Sequence, residues 1–327
     1  MKRELKVAEA LWDVKEGIDN VILALKLSDP DSKTIVWYQD GSIVKYGITG
    51  ELDGNSIPNI NNAVKVRIGN SVSSIGNQAF DDCENLSSII IPDSVTSIGD
   101  SSLRNCSNLT SIIIPNSVTE IGSYCFGYCS SLKTITIPSN VTTIKWGVFE
   151  GCSNLTSITI PDSITSIGEN SFYNCSNLSS VVIPNNVKSI GNDAFAECGN
   201  ISTLKIGSGV TSIGSEAFYN CTSLYNSGSY LTSYEIPENV KNIGANAFYG
   251  CYSMTDIEIE SNFYDLNIGS DAFYTSSISS VTFGLSDPTI SEVQAKEYYP
   301  WGLSGGTQIY CYDGTLVVPS GGSGGSS

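Results

Sequence analysis

Ser153-Asn-Leu-Thr-Ser-Ile-Thr-Ile-Pro-Asp-Ser-Ile-Thr-Ser-Ile-Gly-Glu-Asn-Ser-Phe-Tyr-Asn-Cys175 is one unit of a pattern that runs in nine copies from Val64 to Phe283. Cysteine recurs at 83, 106, 129, 152, 175, 198 and 221, a strict period of 23. A fixed period in the twenties marks a solenoid, a stack of near-identical coils that each contact only their neighbours. Length alone would predict two domains for 327 residues, but a solenoid grows without thickening its core.

Each unit has three pieces. In the first, Ile158 and Ile160 alternate with Ser and Thr, as do Ile89 and Ile91, Ile112 and Ile114, and Ile135 and Ile137. Period-two alternation of β-branched residues predicts a strand with one buried face. The proline at 92, 115, 138, 161 and 184 ends that strand, having no N–H to give a ladder. The second piece, such as Val95-Thr-Ser-Ile98, predicts another short extended run. The glycine after it (99, 122, 168, 191, 214, 244) is expected to adopt a backbone shape that a Cβ forbids. In the third piece Phe80, Leu103, Phe126, Phe149, Phe172, Phe195, Phe218, Phe248 and Phe273 share one slot, which predicts an aromatic spine.

The cysteine column invites a disulfide or metal reading. Stacked side chains all point the same way, whereas a disulfide needs its two Cβ atoms turned towards each other. No Cys-x-x-Cys occurs and there is no histidine, so buried thiols acting as small hydrophobes are expected, with no metal and no cofactor. The missing histidine also removes the usual general base and the Ser-His-Asp triad. Gly302-Leu-Ser-Gly-Gly306 matches a nucleophile-elbow pattern, but Ser304 has no histidine to serve it. No catalytic residue is assigned. Sixteen basic against 33 acidic residues give a net charge of −17, which argues against nucleic-acid binding.

The repeat resembles the BspA-like (Treponema-type) class of leucine-rich repeats. That resemblance covers Val64 to Phe283 and implies a right-handed solenoid of short parallel strands, with a role in adhesion rather than catalysis. The flanks, Val36-Trp-Tyr-Gln-Asp-Gly-Ser-Ile-Val-Lys-Tyr-Gly-Ile-Thr-Gly-Glu-Leu52 and Tyr299-Pro-Trp-Gly-Leu-Ser-Gly-Gly-Thr-Gln-Ile-Tyr-Cys-Tyr-Asp-Gly314, resemble segments that accompany such repeats in gut bacterial and phage proteins. The start of the chain shows no uninterrupted apolar run of a secretory signal, and no stretch reaches transmembrane length. The expectation is therefore a virion-borne or cell-surface protein, with a cytoplasmic location as the alternative and without membrane insertion.

Outside the repeats, residues 1–30 are predicted to form an α-helix for attachment or oligomerisation. Val7, Leu11, Val14, Ile18, Val21 and Leu25 follow heptad spacing, which suits a trimer or a helix lying on its own solenoid. Residues 31–63 are read as a hairpin cap, with Asp40-Gly41 as a type I′ turn and 50–59 as loop. Residues 284–319 are read as a C-terminal cap holding a short helix and a terminal hairpin, and 320–327 as a flexible Gly/Ser tail.

Departures from a repeat are where binding sites are placed. Cys221 to Cys251 spans 30 residues, so seven are inserted near Leu224-Tyr-Asn-Ser-Gly-Ser-Tyr-Leu231, and 12 of the 17 tyrosines follow Phe218. Tyrosine gives large, rigid contact area at low entropic cost. The candidate ligand-binding residues are Tyr219, Tyr225, Tyr230, Tyr249 and Tyr252, with Lys205, Glu235 and Glu258 on the strand face. The ligand is expected to be a cell-surface protein or glycan. A structural fibre or spacer without its own ligand is the alternative.

Overall fold

The computed structural model describes residues 33–224, 234–261, 263–274, 278–283, 303, 308–310 and 316–318. These form a parallel β-solenoid of about ten turns, which we number by spine residue from coil 1 (Phe80) to coil 9 (Phe273). Each complete coil has a first strand, a second strand and a strand-free flank. The first strands are Ala63–Arg67, Ser88–Ile90, Ser111–Ile112, Thr134–Thr136, Ser157–Thr159, Ser180–Val182, Thr203–Lys205, Tyr234–Ile236 and Asp256–Ile259. Ser280–Phe283 adds a tenth. The second strands run from Val72–Ile75 to Asn267–Ile268. Neighbouring copies pair in parallel and in register, Ile135 on Ile158 and Ile167 on Ile190.

The alternation predicts the core correctly. Ile135 and Ile137 are buried while Thr134 and Thr136 are exposed. Each proline closes its strand and its carbonyl then accepts the valine N–H three residues on, as in Val95 to Pro92 (3.1 Å). From Phe126 to Phe273 the spine rings stack at centroid distances of 4.9–5.7 Å, all essentially buried.

The cysteines are buried and unbridged among the described residues, but they do more than fill space. From Cys106 to Cys251 each column Sγ–H donates to the spine carbonyl of the preceding coil, as in Cys152 to Phe126 (3.1 Å), Cys175 to Phe149 (3.2 Å) and Cys198 to Phe172 (3.1 Å), while Cys83 meets the Ile60 carbonyl and Cys125 the Ser102 hydroxyl. The column is a thiol hydrogen-bond ladder that gives buried carbonyls a second partner.

The slot glycines have a different cause from the expected one. None of Gly99, Gly168, Gly191 or Gly214 takes positive φ; a Cβ at Gly191 would lie 2.5 Å from the backbone nitrogen of Glu169 in the coil below, and one at Gly168 2.7 Å from the Lys145 carbonyl carbon. Close approach of consecutive coils is what excludes a side chain. Positive φ falls instead on the flank, two and six residues after the slot. Asn170 (53°) and Asn174 (56°) are typical, and each such residue gives its N–H to the next coil.

Coil 4 carries Lys145 in the glycine slot. Elsewhere two backbone bonds tie adjacent second strands, as in Gly122 N–H to Ile98 and Thr119 N–H to Thr96. Among the described residues neither has a counterpart at Lys145 and Thr142, and the second-strand sheet divides between Glu120–Ile121 and Thr143–Ile144. A small void lined by Ile121, Val141, Ile144, Val148 and Phe149 lies at this seam. The first strands and the flank stay bonded across it, Ile112 opposite Ile135 and Phe126 N–H to Val148 at 2.9 Å.

At the N-terminal end Thr34–Tyr38 and Ile43–Tyr46 form an antiparallel hairpin whose first strand pairs antiparallel with Ala63–Arg67, so the edge of coil 1 is occupied. The turn is not type I′. Gly41 has φ 83° while Asp40 does not have positive φ, and the bonds Gly41 N–H to Tyr38 and Tyr38 N–H to Ser42 make a three-residue loop with glycine in the bulge. Residues 50–59 are not all loop: Gly50–Leu52 is a strand pairing in parallel with Val72–Ile75, with Leu52 fully buried. It adds half a coil below the first copy.

At the far end Gln308–Tyr310 adds in parallel to Ser280–Phe283 and Leu316–Val318 folds back antiparallel upon it. In coil 9, where Asp265 stands in a valine slot, a 3-10 turn over Phe263–Asp265 delivers Leu266 to the core instead. Among the described residues there is no α-helix, and none long and apolar enough to cross a membrane. The helix expected over 1–30, with Val7, Leu11, Val14, Ile18, Val21 and Leu25, lies outside the described residues, as does the short helix expected near Val293–Trp301.

Candidate functional site

The flank is where side chains can vary, because its backbone is fixed by inter-coil bonds and its inward slots are taken by spine and thiol. Three outward slots matter: the two positive-φ positions and the residue after the spine Phe. In coils 7 to 9 the last of these holds Tyr219, Tyr249 and Tyr274. Their rings stack at 5.1 and 4.9 Å, nearly parallel, as a surface column. Tyr274 is 51% and Tyr252 52% exposed. The Tyr249 hydroxyl is held above its ordinary pKa by partial desolvation first and then by Tyr274, Tyr219 and Tyr252, so Tyr252 belongs to the same patch.

Of the other candidates, Lys205 is exposed on the first strand of coil 7. Glu235 and Glu258 face each other in register on coils 8 and 9. The ladder of first strands is interrupted between Thr203–Lys205 and Tyr234–Ile236, so Lys205 lies in a different sheet from the two glutamates. Glu260 joins them instead, its pKa raised by burial, then by Glu235 and Glu258. Tyr225 and Tyr230, with the seven-residue insertion, lie outside the described residues. The sequence candidates therefore divide between two surfaces, a tyrosine flank and an acidic strand face.

Sequence reasoning missed a second aromatic cluster on the flank of coils 3 to 5. Tyr124 and Tyr128 occupy both positive-φ slots of coil 3 (φ 55° and 59°), a conformation that bulky residues seldom adopt. Gly147 and Gly151 occupy the same two slots of coil 4. A Cβ on either would strike a tyrosine ring at 2.6 Å, so the glycines make the beds on which Tyr124 and Tyr128 lie. Trp146 packs against Tyr124 at 5.2 Å and is half exposed.

Glu150 stands among these rings, only 9% exposed, and its Oε1 accepts a short hydrogen bond from the Tyr128 hydroxyl. That bond, followed by burial, pushes the Tyr128 pKa up to about 12. Tyr124 is also raised, by burial first and then by Glu150. Tyr173 in coil 5 is raised by burial and then by Glu197, Asp193, Glu150 and Glu216, which places it within the field of four carboxylates. Asp193 is pushed up to about 6 by burial, then by Glu216 and Glu169. The sequence signal was present: tyrosines in slots that elsewhere hold Asn, Asp, Gln, Ser, Glu or Gly, opposed one coil later by paired glycines.

No cluster of three or more potential metal ligands occurs among the described residues. The thiols are poor ligands and nucleophiles, Cys83 being pushed up to about 12 by burial and by Asp81 and Asp82.

Comparison with known proteins bears on the fold. The family described as BspA type leucine rich repeat region matches residues 55–160, 143–228 and 225–295. A leucine-rich repeat protein of T. pallidum is similar at 23% identity over 67% of this chain and 86% of that one, TM-score 0.46. One from Eubacterium ventriosum is similar at 22% identity over 79% of each chain, TM-score 0.47. The pneumococcal vaccine antigen PcpA is similar at 19% identity over 84% and 76%, TM-score 0.43. No curated protein matches the chain in sequence.

Proposed function

Since this chain belongs to the BspA-type leucine-rich-repeat family, we propose that it is a non-enzymatic binding protein that recognises a protein or glycan on a cell surface through the aromatic flank of its solenoid. The observation that carries this reading is the stacked, solvent-facing column Tyr219, Tyr249 and Tyr274 with Tyr252 beside it. Ring area left in water on a rigid scaffold costs stability unless a partner covers it, and a rigid ring loses little entropy on contact. The fold supports the reading by holding consecutive rings at the coil repeat. An extended ligand can then engage several at once.

In this proposal the protein is displayed on a virion or cell surface, and residues 1–30 serve as its attachment or oligomerisation segment. Light scattering on the full chain and on a chain lacking 1–30 tests the latter: a monomer in both removes it. The binding function is tested by retention of labelled protein on a panel of bacterial and animal cells, with and without the triple change Tyr249→Ala, Tyr252→Ala, Tyr274→Ala. These side chains lie on the surface, so the fold is expected to survive and retention to fall. Undiminished retention removes the tyrosine site. Retention by none of the cells favours the spacer reading.

A further inference from the structure

The cluster on coils 3 to 5 has a chemistry of its own. Glu150 is a nearly buried carboxylate that is met by tyrosine hydroxyls, Tyr128 first and Tyr124 beside it. Buried charges ordinarily meet an opposite charge, because desolvating an anion alone is costly. Here the surroundings are tyrosine and tryptophan rings, whose faces are themselves negative. Both the carboxylate and the ring faces attract a cation.

The chain shows what such a cation looks like on this flank. Arg104 occupies in coil 2 the slot that Glu150 occupies in coil 4. Its guanidinium lies along the flank on Asp81 of the coil below, through Nε at 2.8 Å and a second nitrogen at 2.7 Å. Beyond Arg104, the flank positions from one to six residues after each glycine slot contain no lysine or arginine. They contain Asp81, Asp82 and Asp100 in coils 1 and 2, and Glu150, Glu169, Asp193, Glu197, Glu216 and Asp271 from coil 4 onwards. Glu197 and Glu216 are met by neutral amides, Asn220 at 3.0 Å and Asn246 at 3.4 Å.

We propose that Glu150, with Tyr124, Tyr128, Trp146 and Tyr173, receives a lysine or arginine side chain from a basic segment of a protein partner, whose further basic residues follow the carboxylates of coils 5 to 7. An isolated organic cation would use the cage and leave that acidic track unused. A neutral glycan would use the rings and leave the buried charge uncompensated. The inference rests on the binding function proposed above and names its partner class.

The test is calorimetric, on the full chain. The probes are a peptide alternating Arg and Ser, its Lys and Asp counterparts, choline, and a neutral oligosaccharide, each at low and at physiological salt. The Arg and Lys peptides are expected to bind, more weakly as salt rises. Glu150→Gln, which keeps the side-chain shape and its acceptor oxygen, and Trp146→Ala are each expected to weaken binding about tenfold or more. Asp162→Asn, in the exposed turn after the first strand of coil 5, is expected to leave it unchanged. Equal affinity in Glu150→Gln overturns the proposal, as does choline binding as tightly as the peptides. Binding of the oligosaccharide alone also overturns it while leaving the adhesion reading intact. If no probe binds, the cation proposal falls, and cell retention through Tyr249, Tyr252 and Tyr274 still judges the function separately.

Discussion

Replacing Gly191 with lysine should open the solenoid between coils 5 and 6 along one side only. A Cβ at this position would stand 2.5 Å from the Glu169 nitrogen, where ordinary contact begins near 3.4 Å, so the backbones must part by about 0.9 Å. Two bonds cross there, Gly191 N–H to Ile167 and Lys188 N–H to Thr165, both 2.8 Å. Lengthened by that displacement they pass out of hydrogen-bonding range. At about 0.5–1.5 kcal/mol net each, their loss amounts to about 1–3 kcal/mol, or roughly one to two powers of ten in local opening. The chain already contains this arrangement, since Lys145 holds the equivalent slot and the equivalent two bonds are missing.

Hydrogen exchange is the appropriate assay, because a repeat array opens locally and a single global unfolding energy is poorly defined for it. Amides 188 and 191 should lose protection, while the flank amide of Phe172, bonded to Ala194 at 2.8 Å, keeps it. The converse change, Lys145→Gly, should bring protection to amides 142 and 145. Full protection in Gly191→Lys would refute the close-approach explanation of the glycine slot. So would loss spread evenly over strand and flank.

Three further outcomes are expected. Ser171, in a slot that usually holds alanine, buries a hydroxyl with no hydrogen-bond partner among the described residues, so Ser171→Ala should raise stability by about 1 kcal/mol in thermal or urea unfolding. The nine buried thiols of the described residues should resist an aromatic disulfide reagent at pH 8 in the native state and react only on unfolding; rapid native labelling would contradict their burial. Asp193 is pushed up to about 6 in the folded chain from an ordinary 3.8, so folding takes up a proton between those values. Its contribution to stability is present below pH 4 and lost as pH rises through 6. The melting temperature of Asp193→Asn should therefore exceed that of the parent at pH 7 and converge with it towards pH 4.

Much of this molecule can be read from one unit. Alternating isoleucines, proline stops and the Phe slot are local rules that each coil obeys because its neighbours obey them, so nine copies repeat one statement of the core. What could not be read was relational. The glycine slot resembles a demand for unusual φ until the coil beneath is in place, and the thiols resemble filler until Phe126 and Phe149 present carbonyls to them. Asp40-Gly41 announces a turn, but its type depends on how Thr34–Tyr38 registers with Ile43–Tyr46. The break in the count after Cys221 points to residues outside the described part of the chain, and what the sequence offered within it was the run of tyrosines at 219, 249 and 274. The second cluster was overlooked in coils 3 to 5, where the period holds at 23 and only the character of the slots changes.

Coil 4 shows why that second kind of departure carries information. Lys145 gives up two backbone bonds on the second-strand side. In the next few residues Trp146, Gly147, Glu150 and Gly151 replace the usual small or polar flank set, and Tyr124 and Tyr128 of coil 3 take strained backbone positions to lie upon them. Bulky residues at positive φ, a buried acid with no basic partner among the described residues and an opened seam all fall within two consecutive coils. Stability alone accounts for none of them, whereas a binding surface on the intact flank accounts for the first two. The seam adds compliance next to that surface, since the flank stays bonded by Phe126 to Val148 while the second-strand side can widen. If the two are linked, ligand bound at Glu150 should alter exchange at amides 142 and 145. In Lys145→Gly the site should keep its rings but lose that response.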